Sequence, residues 1–208
     1  MVRTLVFLHG VGDGDTSGWV TALNTELKLQ DRPAIEPGAI KAPRYDDILS
    51  TDGVAAKVPD VTYRVRDDNA ARRSFERHQA ELFRRLSAAP QVRGFGFGRF
   101  PDGFMSGAQQ AGLRSGHSTT EQVKRYVASE EVRGAVLRRI LSHLPTEGEI
   151  VLVAHSLGSV IAIDLLDHLP PSLHVSRFVT LGSPANVDAL HKGSERLLKK
   201  FPYARVDD

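Results

Sequence analysis

Residues 149–166 read Glu149-Ile-Val-Leu-Val-Ala-His-Ser-Leu-Gly-Ser-Val-Ile-Ala-Ile-Asp-Leu-Leu166, and the rest of the chain is arranged around them. Ile150 to Ala154 is a short unbroken apolar run rich in β-branched residues, the pattern of a strand buried on both faces. Leu157 to Leu166 is apolar on most sides, as expected of a helix laid against the centre of a sheet. Only His155 and Ser156 lie between them. The chain must therefore turn from strand to helix within about two residues, which strains the backbone at Ser156. Such a turn needs small neighbours, and Ala154 and Gly158 stand two residues to either side.

Upstream, Leu5 to Gly10 (Leu-Val-Phe-Leu-His-Gly) reads as a first strand running into a glycine-rich loop, His9-Gly-Val-Gly-Asp-Gly-Asp15. Glycines at 10, 12 and 14 admit backbone conformations that a substituted residue could not follow. Thr16 or Ser17 can cap a helix whose buried stripe is Trp19, Val20, Leu23 and Leu27. Ala39 to Tyr45 predicts a second strand, kept short or at an edge by Pro43, and residues 50–59 read as loop. Val61 to Val65 alternates as a further strand would.

Residues 70–88 predict a helix with Phe75, Leu82, Phe83 and Leu86 on one face and five arginines on the others. Residues 90–117 then carry seven glycines and four phenylalanines without a sustained period. A structureless stretch of that length inside a compact domain is usually functional or disordered. This insert, at about 90–118, is a candidate lid, substrate channel or docking surface for a protein partner; a surface excursion packed by its own phenylalanines is the alternative. Thr119-Thr-Glu-Gln122 has the form of a capping box and predicts a helix to about Ala128. Ser129 predicts the cap of another, reaching Leu144, with Val132, Val136, Leu137, Ile140 and Leu141 inside. Strands alternating with helices in this way predict an α/β fold, a mostly parallel sheet with helices on both faces.

The 208 residues suffice for one sizeable core and predict a single domain. Lys and Arg number 27 against 25 Asp and Glu, so the net charge of +2 supports no nucleic-acid or membrane-surface partner. The chain has no cysteine, hence no disulfide and no thiolate chemistry, which fits a cytoplasmic home. No apolar run approaches the roughly 20 residues of a spanning helix. The histidines are scattered without metal-ligand spacing, so neither metal nor cofactor is expected.

Ala154-His-Ser-Leu-Gly158 resembles the nucleophile elbow of the α/β-hydrolase superfamily, in its lipase and esterase branch, with Ala at the more usual first Gly. Leu5 to Gly10 is similar to that family's strand ending in His-Gly, and Phe178 to Ala185 (Phe-Val-Thr-Leu-Gly-Ser-Pro-Ala) to the strand after its elbow helix. The three stretches occur in the family's order. The resemblance implies a three-layer α/β-hydrolase-like sandwich and a serine hydrolase acting on small-molecule or lipid carboxylic esters. It makes Ser156 the acyl-accepting nucleophile. It places the oxyanion donors at the amides of Leu157, the residue after the nucleophile, and Val11, in the loop after His9-Gly10; Gly12 and Gly158 support that geometry.

Taken alone, Ser156 could be a helix N-cap, and the glycines could serve only a tight turn. The resemblance further implies an acid and then a His after Ser156, on loops following later strands. Only one confident strand follows, so the sequence predicts a domain incomplete at its C-terminus, with the last strands missing. Asp188 and His191, after the Leu181-Gly-Ser-Pro184 turn, are the candidate acid and base within the chain, against the alternative of a polar surface helix. His117, in the insert, is another candidate base, and His155 reads as structural.

Two other functions stay open on the sequence. One is a hydrolase fold without turnover, used as a binding or effector module through residues 90–117. The other comes from Arg93-Gly-Phe-Gly-Phe-Gly-Arg-Phe100, similar to the RNA-recognition octapeptide but with Gly98 where Val is usual, no partner hexapeptide upstream and a Pro-Asp-Gly turn directly after it.

Overall fold

In the computed structural model, residues 3–12, 17–63, 69–88, 117–184 and 203–207 are described. Four strands form one sheet: β1 (Thr4–Leu8), β2 (Ile40–Lys41), β3 (Gly148–His155) and β4 (Leu173–Leu181). Their order is β2-β1-β3-β4 and every pairing is parallel. The fold is α/β, and the sheet is parallel throughout the described residues. The helices are α1 (Ser17–Leu29), α2 (Asp46–Ser50), α3 (Asn69–Ala88), α4 (His117–Ala128), α5 (Glu130–Leu141) and α6 (Leu157–Leu166).

The strand order explains where the helices lie. From β1 the chain steps to β2 on one side, then returns past β1 to β3 and on to β4. Right-handed crossovers put helices on opposite faces when the direction of stepping reverses. Accordingly α1 is on one face, where the Phe7 ring meets Trp19 with centroids 4.2 Å apart. On the other, Val6 and Leu8 of β1 and Ile150, Leu152 and Ala154 of β3 join a continuous core with Tyr126 of α4, Val136 and Ile140 of α5, and Ile161 and Leu165 of α6. Val6 pairs with Leu152 and Leu8 with Ala154, so alternate residues of the two central strands feed one apolar layer.

All ten residues of α6 are buried, the reason its apolar residues are not confined to one stripe. Ser129 caps α5, its side chain accepting from Val132 N–H at 3.2 Å, and Val132, Val136, Leu137 and Ile140 are inside; the helix stops at Leu141, short of Leu144, with Leu141 half-buried. Gly134 lets the chain at 56–58 cross α5 closely, since a Cβ there would stand 2.0 Å from the Ala56 carbonyl oxygen.

Four local expectations are corrected. β2 spans two residues where a strand over 39–45 was expected; Pro43 lacks the N–H that would extend the ladder, and Asp46 and Asp47 start α2, whose last residue, Ser50, overlaps the expected loop. Val61 to Tyr63 forms no strand: the Thr62 and Tyr63 amides both donate to the Asp167 carbonyl at the end of α6. Helix α4 begins at His117, so Thr119 lies within its first turn rather than at its cap. β4 begins at Leu173, well before the expected Phe178. On the outer edge of β4, Val206 forms a parallel bridge to Val175. Of the insert expected at about 90–118, residues 90–116 lie outside the described residues, as does the RNA-recognition-like octapeptide, while 117 and 118 begin α4.

Candidate active site

Strand order reverses between β1 and β3, and open parallel sheets bind ligands at the carboxyl ends of the strands at such a switch point. Ser156 stands at the end of β3 and the 9–12 loop at the end of β1. The Ser156 backbone has φ 50° and ψ −127°, a conformation that L-residues with a β-carbon rarely adopt. It is held there from three sides. The Ser156 amide donates to the Leu181 carbonyl of β4 at 2.9 Å. Its carbonyl accepts from the Ser159 amide at 2.9 Å and from the Ser159 hydroxyl at 2.6 Å. Ser159 Oγ is also 2.7 Å from Ser183 Oγ, which ties the turn after β4 to the elbow.

Two glycines let the neighbouring chain close in. A Cβ on Gly158 would lie 2.4 Å from the carbonyl oxygens of both Leu8 and His9, so the end of β1 packs directly on the first turn of α6. A Cβ on Gly10 would lie 2.8 Å from Ser156 Cβ. The 9–12 loop is thus brought against the serine.

On its other flank, the buried Tyr45 hydroxyl donates to the His9 carbonyl, and its ring stacks on the His9 imidazole with centroids 4.1 Å apart. Burial pushes the Tyr45 hydroxyl far above its usual pKa, with the Asp46 charge adding to the effect, so it stays a donor. His9 Nδ1 lies 2.8 Å from the Gly10 carbonyl; a carbonyl can only accept, so that nitrogen carries the proton. Gly12, at φ 123°, gives its amide to Gln122 Oε1 at 3.1 Å.

The amides of Val11 and Leu157 have no hydrogen-bond partner among the described residues, and both belong to segments that meet at Ser156. Leu157 is the first residue of α6, where the helix dipole favours an anion. Fixed N–H donors beside a serine hydroxyl suit the charge that develops on a carbonyl oxygen under attack.

Among the described residues no side chain hydrogen-bonds the Ser156 hydroxyl. Asp188 and His191 lie outside the described residues. His155 is exposed; its ring lies between the ends of β1 and β4, with Nδ1 3.3 Å and Nε2 3.9 Å from where Cβ atoms on Gly10 and Gly182 would stand. Asp164, too far along α6 to serve Ser156, accepts from the buried Tyr126 hydroxyl at 2.9 Å. No group of three or more His, Cys, Asp or Glu among the described residues is placed to hold a metal ion, and no described helix is long and apolar enough to cross a membrane.

Sequence reasoning missed the supports of the site. Ser159 could have been found, three residues from Ser156 on a helix. Tyr45 and Gln122 could not, because nothing local marks a side chain that bonds to a loop far away in the chain.

The fold and site together define an α/β protein with a strained strand-serine-helix turn at the switch point of a parallel sheet. Comparison with protein-family models, with curated proteins and with solved structures finds no match to this chain.

Proposed function

We propose that this protein is a serine hydrolase of α/β-hydrolase type that cleaves carboxylic esters, with Ser156 as the nucleophile. The observation that carries the reading is the backbone of Ser156 at φ 50° and ψ −127°. A helix cap needs no such conformation, whereas a hydroxyl held clear of the sheet for attack does. In the proposed reaction Ser156 Oγ attacks the ester carbonyl carbon while a base takes its proton. The tetrahedral oxyanion is received by the Val11 and Leu157 amides; on collapse the protonated base gives its proton to the leaving oxygen, which departs as the alcohol, and water then hydrolyses the acyl-serine to release the acid. Asp188 and His191 are the candidate acid and base in this chain, with His117, at the start of α4, as another candidate base. Lacking cysteine, the protein is assigned to the cytoplasm in this reading.

The test is turnover of p-nitrophenyl esters from acetate to octanoate by the protein and its Ser156→Ala variant. The expected result is hydrolysis that falls by about 10³-fold or more in the variant. Background hydrolysis by both folded proteins would overturn the reading and favour a binding or effector module.

A further inference from the structure

The loop that carries the Val11 amide is fastened by a side chain from a distant helix. Gln122 of α4 is 6% exposed. Its Oε1 accepts from the Gly12 amide at 3.1 Å, across 110 residues of sequence, and its Nε2 donates to Ser50 Oγ of α2 at 2.7 Å. The orientation of the carboxamide is unambiguous, because a backbone N–H can only donate and must face the oxygen. The opposite end of the loop is held by Tyr45 at the His9 carbonyl. Val11 therefore lies between two fastened residues, with its own amide unpartnered among the described residues.

This matters because the loop does not stiffen itself. Gly10 and Gly12 have the largest conformational freedom of any residue type, and Gly12 has nothing within 4 Å of where a Cβ would stand. An oxyanion donor contributes most when it is fixed before the charge appears. Resting on the reading of Ser156 as nucleophile, we infer that Gln122 is a positioning residue of the oxyanion hole. Its bond to Gly12 fixes the peptide after Val11 and so aims the Val11 amide at the substrate oxygen. Aim matters in the transition state far more than in ground-state binding, so loss of Gln122 acts on kcat and leaves KM alone. A Gln122 that served only the packing of α4 would change thermal stability instead.

The experiment measures steady-state hydrolysis of p-nitrophenyl butyrate by the protein, Gln122→Met and Ser50→Ala. Met keeps the length of the side chain and removes both hydrogen bonds. Ser50 is exposed, so its replacement spares the core while freeing the carboxamide to swing. Expected are a fall in kcat of about tenfold or more for Gln122→Met with KM changed by less than about twofold, and a smaller fall of the same kind for Ser50→Ala. Amide exchange at Val11 and Gly12, read by NMR, rises in both. A folded Gln122→Met protein with kcat within about twofold of the unaltered protein, or with unchanged exchange at Gly12, overturns the inference. If Gln122→Met does not fold, Ser50→Ala decides by the same criteria. If the unaltered protein shows no Ser156-dependent turnover, the nucleophile reading falls and this inference with it.

Discussion

Ser156 holds a backbone conformation that costs about 1–3 kcal/mol for a residue with a β-carbon, so the surrounding bonds must over-determine it. Those bonds come from the Leu181 carbonyl, the Ser159 hydroxyl and the close-packed Gly10 and Gly158. Glycine would relieve the strain and alanine would not. Ser156→Gly is therefore expected to be more stable than Ser156→Ala by about 1 kcal/mol after glycine's extra freedom in the unfolded chain is counted, a rise in Tm of about 2–4 °C by calorimetry. Alanine equal to or above glycine would show that the serine is unstrained. Ser156 and Gly158 were legible in the sequence because their requirement is local: small residues at fixed spacing between an apolar run and an apolar helix. Gln122 was not legible in that role. Its neighbours suggested a helix start, and its actual partners, Gly12 and Ser50, are set by how α4 and α2 pack.

Elements with strong patterns, β1, β3, α1, α5 and α6, follow from periodicity and capping, and Ser129 caps α5 as its residue type demands. Those that tertiary bonds override do not, as when Thr62 and Tyr63 end on the Asp167 carbonyl instead of in a ladder. The inward-facing Asp164 of α6 is a further case, since an acidic residue in a wholly buried helix makes sense only with its partner from α4. Burial, followed by the Asp164 charge and hydrogen bond, drives the Tyr126 hydroxyl well above its usual pKa, so it remains a donor to that carboxylate. Tyr126→Phe takes away this donor while keeping the ring. It is expected to destabilise the protein by about 1–3 kcal/mol, seen as a lower urea midpoint at unchanged m-value. An unchanged midpoint would mean that the bond contributes nothing net to the packing of α4 on α6.

At the scale of the whole molecule, stepping of the chain from β1 to β2 and back past it to β3 generates both the two helical faces and the switch point at which the 9–12 loop comes against Ser156. Alternation of strands and helices made this α/β plan legible. The strand order was not, because order is fixed by long-range pairing that leaves no local mark. The central claim is that this switch point presents an activated serine. The direct measurement is intact-mass and peptide mapping of the protein after reaction with a fluorophosphonate, which captures a serine only where base and oxyanion donors are assembled. The account predicts one adduct, on Ser156, absent from Ser156→Ala. A folded protein with no adduct, or with its adduct on another residue, would contradict it.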